Sequence, residues 1–132
     1  MKGIKWLTGI FILALTLIVI IANLGLGPIY FPFIYNAAGL DKVGHFFLMG
    51  MLSFLVNILL KSKKVIIFSL DFLIGSLVVT FVVALEELSQ LFLVFRAFSW
   101  LDLVFDLGGI FLGGRLAAWL CKKVEGNDTF QI

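Results

Sequence analysis

The 132-residue chain is poor in charge: Lys, Arg, Asp and Glu together make up 14% of it, where a soluble domain usually carries about a quarter. That scarcity excludes an ordinary water-soluble fold. The ten basic and eight acidic residues leave a net charge of +2 spread along the chain, so there is no basic patch suited to nucleic acid. With a single cysteine, Cys121, no internal disulfide can form and nothing depends on an oxidising compartment. No phosphate-cradling glycine loop or ATP motif is present, and the pairs Gly108-Gly109 and Gly113-Gly114 read as helix packing, which argues against primary active transport. Histidine occurs once, at His45, without HExxH-type spacing. No metal or other cofactor is therefore expected, although His45 with Glu87, Asp102 and Asp106 is a conceivable ligand set.

What is abundant is apolar. Of the 132 residues, 62% are hydrophobic, and the mean hydropathy is +1.18. One crossing of the hydrocarbon needs about 20 apolar residues, so four crossings account for nearly the whole complement. The expected fold is an all-α membrane protein: a single domain over residues 1–132 with four transmembrane helices in an antiparallel bundle. The first run, about 4–24, follows Lys2 and Lys5; it is too long for a signal-peptide core and ends in a poor cleavage site, so it reads as a retained helix. Residues 25–40 hold both prolines, Pro28 and Pro32, with Phe31, Phe33 and two tyrosines. They read as an interfacial loop, either an aromatic belt or the lip of a lipid-admitting pocket. The second span covers about 43–60, the third 65–88 and the fourth 101–121, ahead of Lys122, Lys123 and a polar tail ending at Ile132.

Four spans place Lys2, Lys5, Lys61, Lys63, Lys64, Lys122 and Lys123 on one side, and only Lys42 and Arg96 on the other. Short cytoplasmic segments retain Lys and Arg, so both termini are expected in the cytoplasm. Most of the remaining polar chemistry then gathers at the external end. Asp41 and His45 are four apart at the start of the second helix, and Glu87 and Gln90 three apart near the end of the third. Glu86 is rotated by about 100° from Glu87 and points elsewhere on this reading. Asp102 and Asp106 are four apart at the start of the fourth helix, where the helix dipole favours carboxylates. Matching heights along the helices aligns Glu87 with Ser99 and Gln90 with Arg96. The same rule aligns Asp71 with Arg115, an expected ion pair buried in the hydrocarbon.

The order of these motifs resembles the VanZ-like family of bacterial membrane proteins. The resemblance rests on Asp41-Lys42-Val43-Gly44-His45-Phe46 as a DKxxHF-type opening and on Glu87-Leu88-Ser89-Gln90 as ExxQ. It continues through Arg96, Ser99, Asp102, Asp106, Gly109 and Gly113 as an R-x2-S-x2-D-x3-[ND]-x2-G-x3-G run, and covers roughly residues 40 to 114. Val94-Phe95 stands where the family commonly has Pro-Gly. The resemblance implies a four-helix protein of the bacterial cytoplasmic membrane whose founding relative gives low-level resistance to the glycopeptide teicoplanin; it supplies no chemical mechanism.

The expected activity is engagement of an amphiphile, a cell-wall lipid or lipoglycopeptide, in an external pocket, altering glycopeptide susceptibility. The candidate pocket residues are Asp41, Lys42, His45, Glu87, Gln90, Arg96, Ser99, Asp102 and Asp106. Arg96 and Lys42 would take an anionic group, Glu87 and Gln90 would orient it, and Asp102 with Asp41 and His45 would handle a proton. Membrane lipids are the expected partners, with no nucleic acid. Two rivals are an intramembrane enzyme acting on a lipid headgroup, with Glu87 or Asp102 as general base, and a purely structural subunit whose polar residues pin helix ends together.

Overall fold

In a computed structural model, residues 2–128 are described, with side-chain surroundings given through Val124. The chain is mostly helical, in the order α1 (Lys2–Asn23), α2 (Gly27–Tyr30), α3 (Pro32–Asn36), α4 (Leu40–Leu59), β1 (Lys64–Ile67), β2 (Leu70–Leu73), α5 (Ile74–Ser89) and α6 (Trp100–Asp128). A 3-10 turn, Gln90–Phe92, prolongs α5. Four helical stretches are long and apolar enough to cross a membrane: Lys2–Asn23, Leu40–Leu59, Ile74–Phe92 and Trp100–Val124. The fourth helix runs beyond residue 121 to Asp128, and the last four residues of the expected tail lie outside the described residues.

Local chemistry explains where the helices stop. α1 ends with Gly25 at φ +74°, and the Leu26 N–H reaches the Ile21 carbonyl while the Gly25 N–H reaches Ala22. This is the paired closure of a Schellman motif, with glycine in the left-handed position. α4 closes in the same way, Ser62 N–H to Asn57 and Lys61 N–H to Ile58, here with Lys61 left-handed at φ 52°. The interfacial segment is more ordered than an aromatic loop: each proline sits in the first turn of a short helix, where its missing N–H costs nothing.

The third span departs from its expected start. Residues 64–73 form a two-stranded antiparallel hairpin, with Lys64 opposite Leu73 and Ile67 opposite Leu70, so the helix begins at Ile74 and not at 65. The run Val65-Ile66-Ile67 is β-branched and short, and a strand pairs it more readily than a helix. The correction removes the Asp71–Arg115 ion pair. Asp71 lies on β2 and meets Lys64 at 3.4 Å, with both side chains more than half exposed, while Arg115 lies over the Phe111 ring at 5.4 Å. An exposed pair contributes little, so Asp71→Ala should change thermal stability by less than about 0.5 kcal/mol, and adding Arg115→Ala should recover nothing.

The most extensive helix pairing is α4 with α6. Lys42 meets Asp102, His45 meets Asp106 and Ser62 meets Cys121, separations of 60, 61 and 59 residues, so the two helices advance side by side in one direction. They approach through glycine: a Cβ on Gly109 would overlap the Phe46 carbonyl oxygen, and one on Gly113 the Gly50 carbonyl oxygen. α5 runs the other way against both, with Ser76 at the Asn57 end and Glu87 at the His45 end. A small apolar core of Val79, Val83 and Ile110 lies between them. Below it, Ser53 donates to the Ile110 carbonyl at 2.9 Å, and Asn57 Nδ2 donates to Ser53 O at 2.9 Å and to Ser76 Oγ at 3.0 Å. Ser53 and Asn57 are both fully buried, and such polar bonds hold helices together where lipid cannot compete for them. α1 buries only Thr8, Leu15 and Ala22, one residue every seventh position.

Candidate ligand-binding site

The far ends of α4, α5 and α6 from the lysine-rich Lys61–Lys64 turn carry the polar constellation. Ser99 caps α6: its Oγ accepts the Asp102 N–H at 3.2 Å, as an N-cap residue serves the third helical position. That cap fixes the first turn of α6 and aims Asp102 and, one turn on, Asp106 at α4. Lys42 Nζ bridges Asp102 Oδ1 at 2.9 Å and Asp41 Oδ2 at 3.0 Å. His45 Nδ1 lies 3.0 Å from Asp106 Oδ1 and its Nε2 3.9 Å from Asp102 Oδ2. The closer partner of the imidazole is thus Asp106, not the Asp102 and Asp41 of the expected proton-handling group.

A second chain of contacts comes from α5. Glu87 is fully buried and Gln90 is 1% exposed. Gln90 Nε2 donates to Glu86 at 3.0 and 3.1 Å and to Glu87 at 3.3 Å. The Ser99 N–H points at Glu87 Oε2 from 3.5 Å, which places Glu87 level with Ser99 as helix heights predict. Gln90 spends its amide on the two glutamates and makes no hydrogen bond to Arg96 among the described residues. His45, Glu87 and Asp106, one from each of three helices, bring donor atoms within 4.8 Å of one another.

These groups border a cavity of about 810 Å³, within the usual range for a small-molecule site. One end is polar, with Asp41, Lys42, His45, Glu86, Arg96, Asp102 and Asp106; the remaining wall is apolar, built by Leu15 and Val19 of α1, Leu48 and Leu52 of α4, and Val82 of α5. Phe31 and Tyr35 also line it, so part of the aromatic segment does form a lip, while Phe33 is exposed. Lys42 is occupied by carboxylates, whereas Arg96 forms no ion pair among the described residues and faces the cavity.

Of the nine expected pocket residues, six line the cavity; Glu87, Gln90 and Ser99 do not, and support it from behind. Glu86, expected to point away, is on the cavity wall. The signal for it was its fourfold spacing to Gln90, which the amide bond realises. The α1 wall carries no polar motif and left no trace in a motif-based reading. Compared with known protein families, with curated proteins and with solved structures, the chain finds no match in any of the three.

Proposed function

We propose that this is a VanZ-like protein of the bacterial cytoplasmic membrane, an antiparallel four-helix bundle with both termini inside, whose external cavity engages an amphiphile and so alters susceptibility to teicoplanin-type glycopeptides. The observation that carries the reading is the shape of the cavity: a long apolar wall leading to a polar end where Arg96 has no carboxylate partner among the described residues. An acyl chain suits the wall, and the guanidinium suits the phosphate or carboxylate of a cell-wall lipid precursor or lipoglycopeptide. The proposed orientation is supported by the lysines at the opposite end, where Lys61, Lys64 and Lys122 border one shared groove.

The test is teicoplanin susceptibility in cells making the protein or its Arg96→Ala variant at matched membrane abundance, with lipid profiles recorded in parallel. A charge-assisted contact contributes about 1.5–3 kcal/mol, so the variant should bind an anionic amphiphile roughly ten- to a hundredfold more weakly and lose the shift in susceptibility. An unchanged shift in Arg96→Ala would sink the reading. The intramembrane-enzyme alternative draws on the His45–Asp106 pair at the cavity wall, an imidazole oriented by a carboxylate. A lipid species that appears or disappears with the protein would favour it.

A further inference from the structure

We infer that His45, Glu87 and Asp106 bind one divalent transition-metal ion, of the Zn2+ or Mn2+ class, at the polar end of the cavity where His45 and Asp106 line its wall and Glu87 stands behind them. The inference does not rest on the amphiphile reading. The three residues come from α4, α5 and α6, and one donor atom from each lies within 4.8 Å of the other two, a spread that a single ion at ordinary bond lengths can span. Exposed acidic groups often gather without an ion, but here Glu87 is 0% and Asp106 1% exposed. Two carboxylates removed from water need compensation. Among the described residues, Glu87 has only the Gln90 amide and a long contact from the Ser99 N–H, and Asp106 has only the imidazole.

The surrounding charges do not supply it. Asp41, Glu86, Glu87, Asp102 and Asp106 face Lys42 and Arg96, a deficit of three positive charges with neutral His45, and Lys42 is already shared between Asp41 and Asp102. A second, independent observation points to a ligand. Gln90 is 1% exposed and its Oε1 has no hydrogen-bond partner among the described residues, while its Nε2, on the same amide, is 3.3 Å from Glu87 Oε1. A carbonyl oxygen buried without a donor carries a desolvation cost, and a cation held next to Glu87 would offset it. Behind the histidine, Asp102 Oδ2 faces Nε2 at 3.9 Å and is itself held by Lys42. At that distance Asp102 makes no hydrogen bond to the ring, but its charge lies on the Nε2 side and leaves Nδ1, the nitrogen nearest Asp106, for the ion. One nitrogen and two carboxylates suit Zn2+ or Mn2+ better than Ca2+ or Mg2+, which take oxygen alone.

The test uses the full chain, tag-free, purified in detergent and stripped with EDTA, then titrated with Mn2+ and examined by pulsed electron paramagnetic resonance. His45 is the only histidine in the sequence, so imidazole-nitrogen coupling to the bound ion reports this residue alone, without a variant. The expected result is about one Mn2+ per chain with that coupling, and at least tenfold weaker binding in Asp106→Asn and Glu87→Gln. Binding without nitrogen coupling, binding undiminished in folded Asp106→Asn, or no stoichiometric binding overturns the site. If those variants do not fold, the wild-type spectrum decides. Because no lipid or drug enters the titration, its failure leaves the teicoplanin test standing, and failure of that test leaves this one.

Discussion

Gly109→Ala and Gly113→Ala should each collapse the yield of folded protein, whereas Gly108→Ala, one residue away, should leave it near wild type. A Cβ at 109 or 113 would occupy the space of a main-chain carbonyl on α4, and the backbone of a paired helix cannot swing aside as a side chain can. At 108 the nearest atom is the Phe46 ring edge at 3.4 Å, an ordinary contact. Alanine in a helix interior is intrinsically better than glycine by about 0.8–1.0 kcal/mol, so the sign at 109 and 113 reports packing alone. Overpacking costs about 1–3 kcal/mol where side chains can adjust; here the cost should reach or exceed the top of that range. The measurement is the monodisperse fraction in detergent and its thermal midpoint. Equal behaviour of Gly108→Ala and Gly109→Ala would contradict the close approach of α4 and α6.

The second large effect is electrostatic. Lys42→Met should destabilise the protein by about 2–3 kcal/mol, below the ~3–5 kcal/mol of a fully buried pair because the lysine side chain is 25% exposed. The damage falls on Asp102, whose side chain is 12% exposed and, among the described residues, keeps no other cation nearer than His45. Asp41, at 46%, can turn to water. Replacing both partners, Lys42→Met with Asp102→Leu, should restore part of the loss, since an apolar pair leaves no charge stranded. A double mutant no better than the sum of its singles would mean that the two side chains do not interact.

Four apolar runs were legible in the sequence because a membrane helix announces itself by length and hydropathy. The start of α5 was not. Val65, Ile66 and Ile67 are as apolar as the helix that follows, and hydropathy does not distinguish a short strand from a helical turn. The hairpin turn at Phe68 and Ser69 is left-handed at both residues, φ 49° and 64°, without the Asn-Gly sequence that usually marks such a turn. The expected Asp71–Arg115 pair failed with that boundary. In the site, spacing gave the height of Glu87 against Ser99, as their contact shows. It did not give rotation: neighbouring residues differ by about 100° around the axis, and which of Glu86 and Glu87 meets the cavity depends on how α5 rolls against α4 and α6. The choice between Asp102 and Asp106 as the partner of His45 turned on the same unknown.

The seam along α1, made by three residues seven apart, holds the helix that completes the cavity. The polar groups stand on α4, α5 and α6 and in the turn before α6, and they need no help from α1; the enclosure does. A molecule filling the cavity would touch α1 on one side and α4, α5 and the polar end on the other, adding to the adhesion that Thr8, Leu15 and Ala22 alone provide sparingly. Occupancy and attachment of α1 are therefore thermodynamically linked, each favouring the other by the same free energy. A guest in the cavity would firm the first helix as a wall.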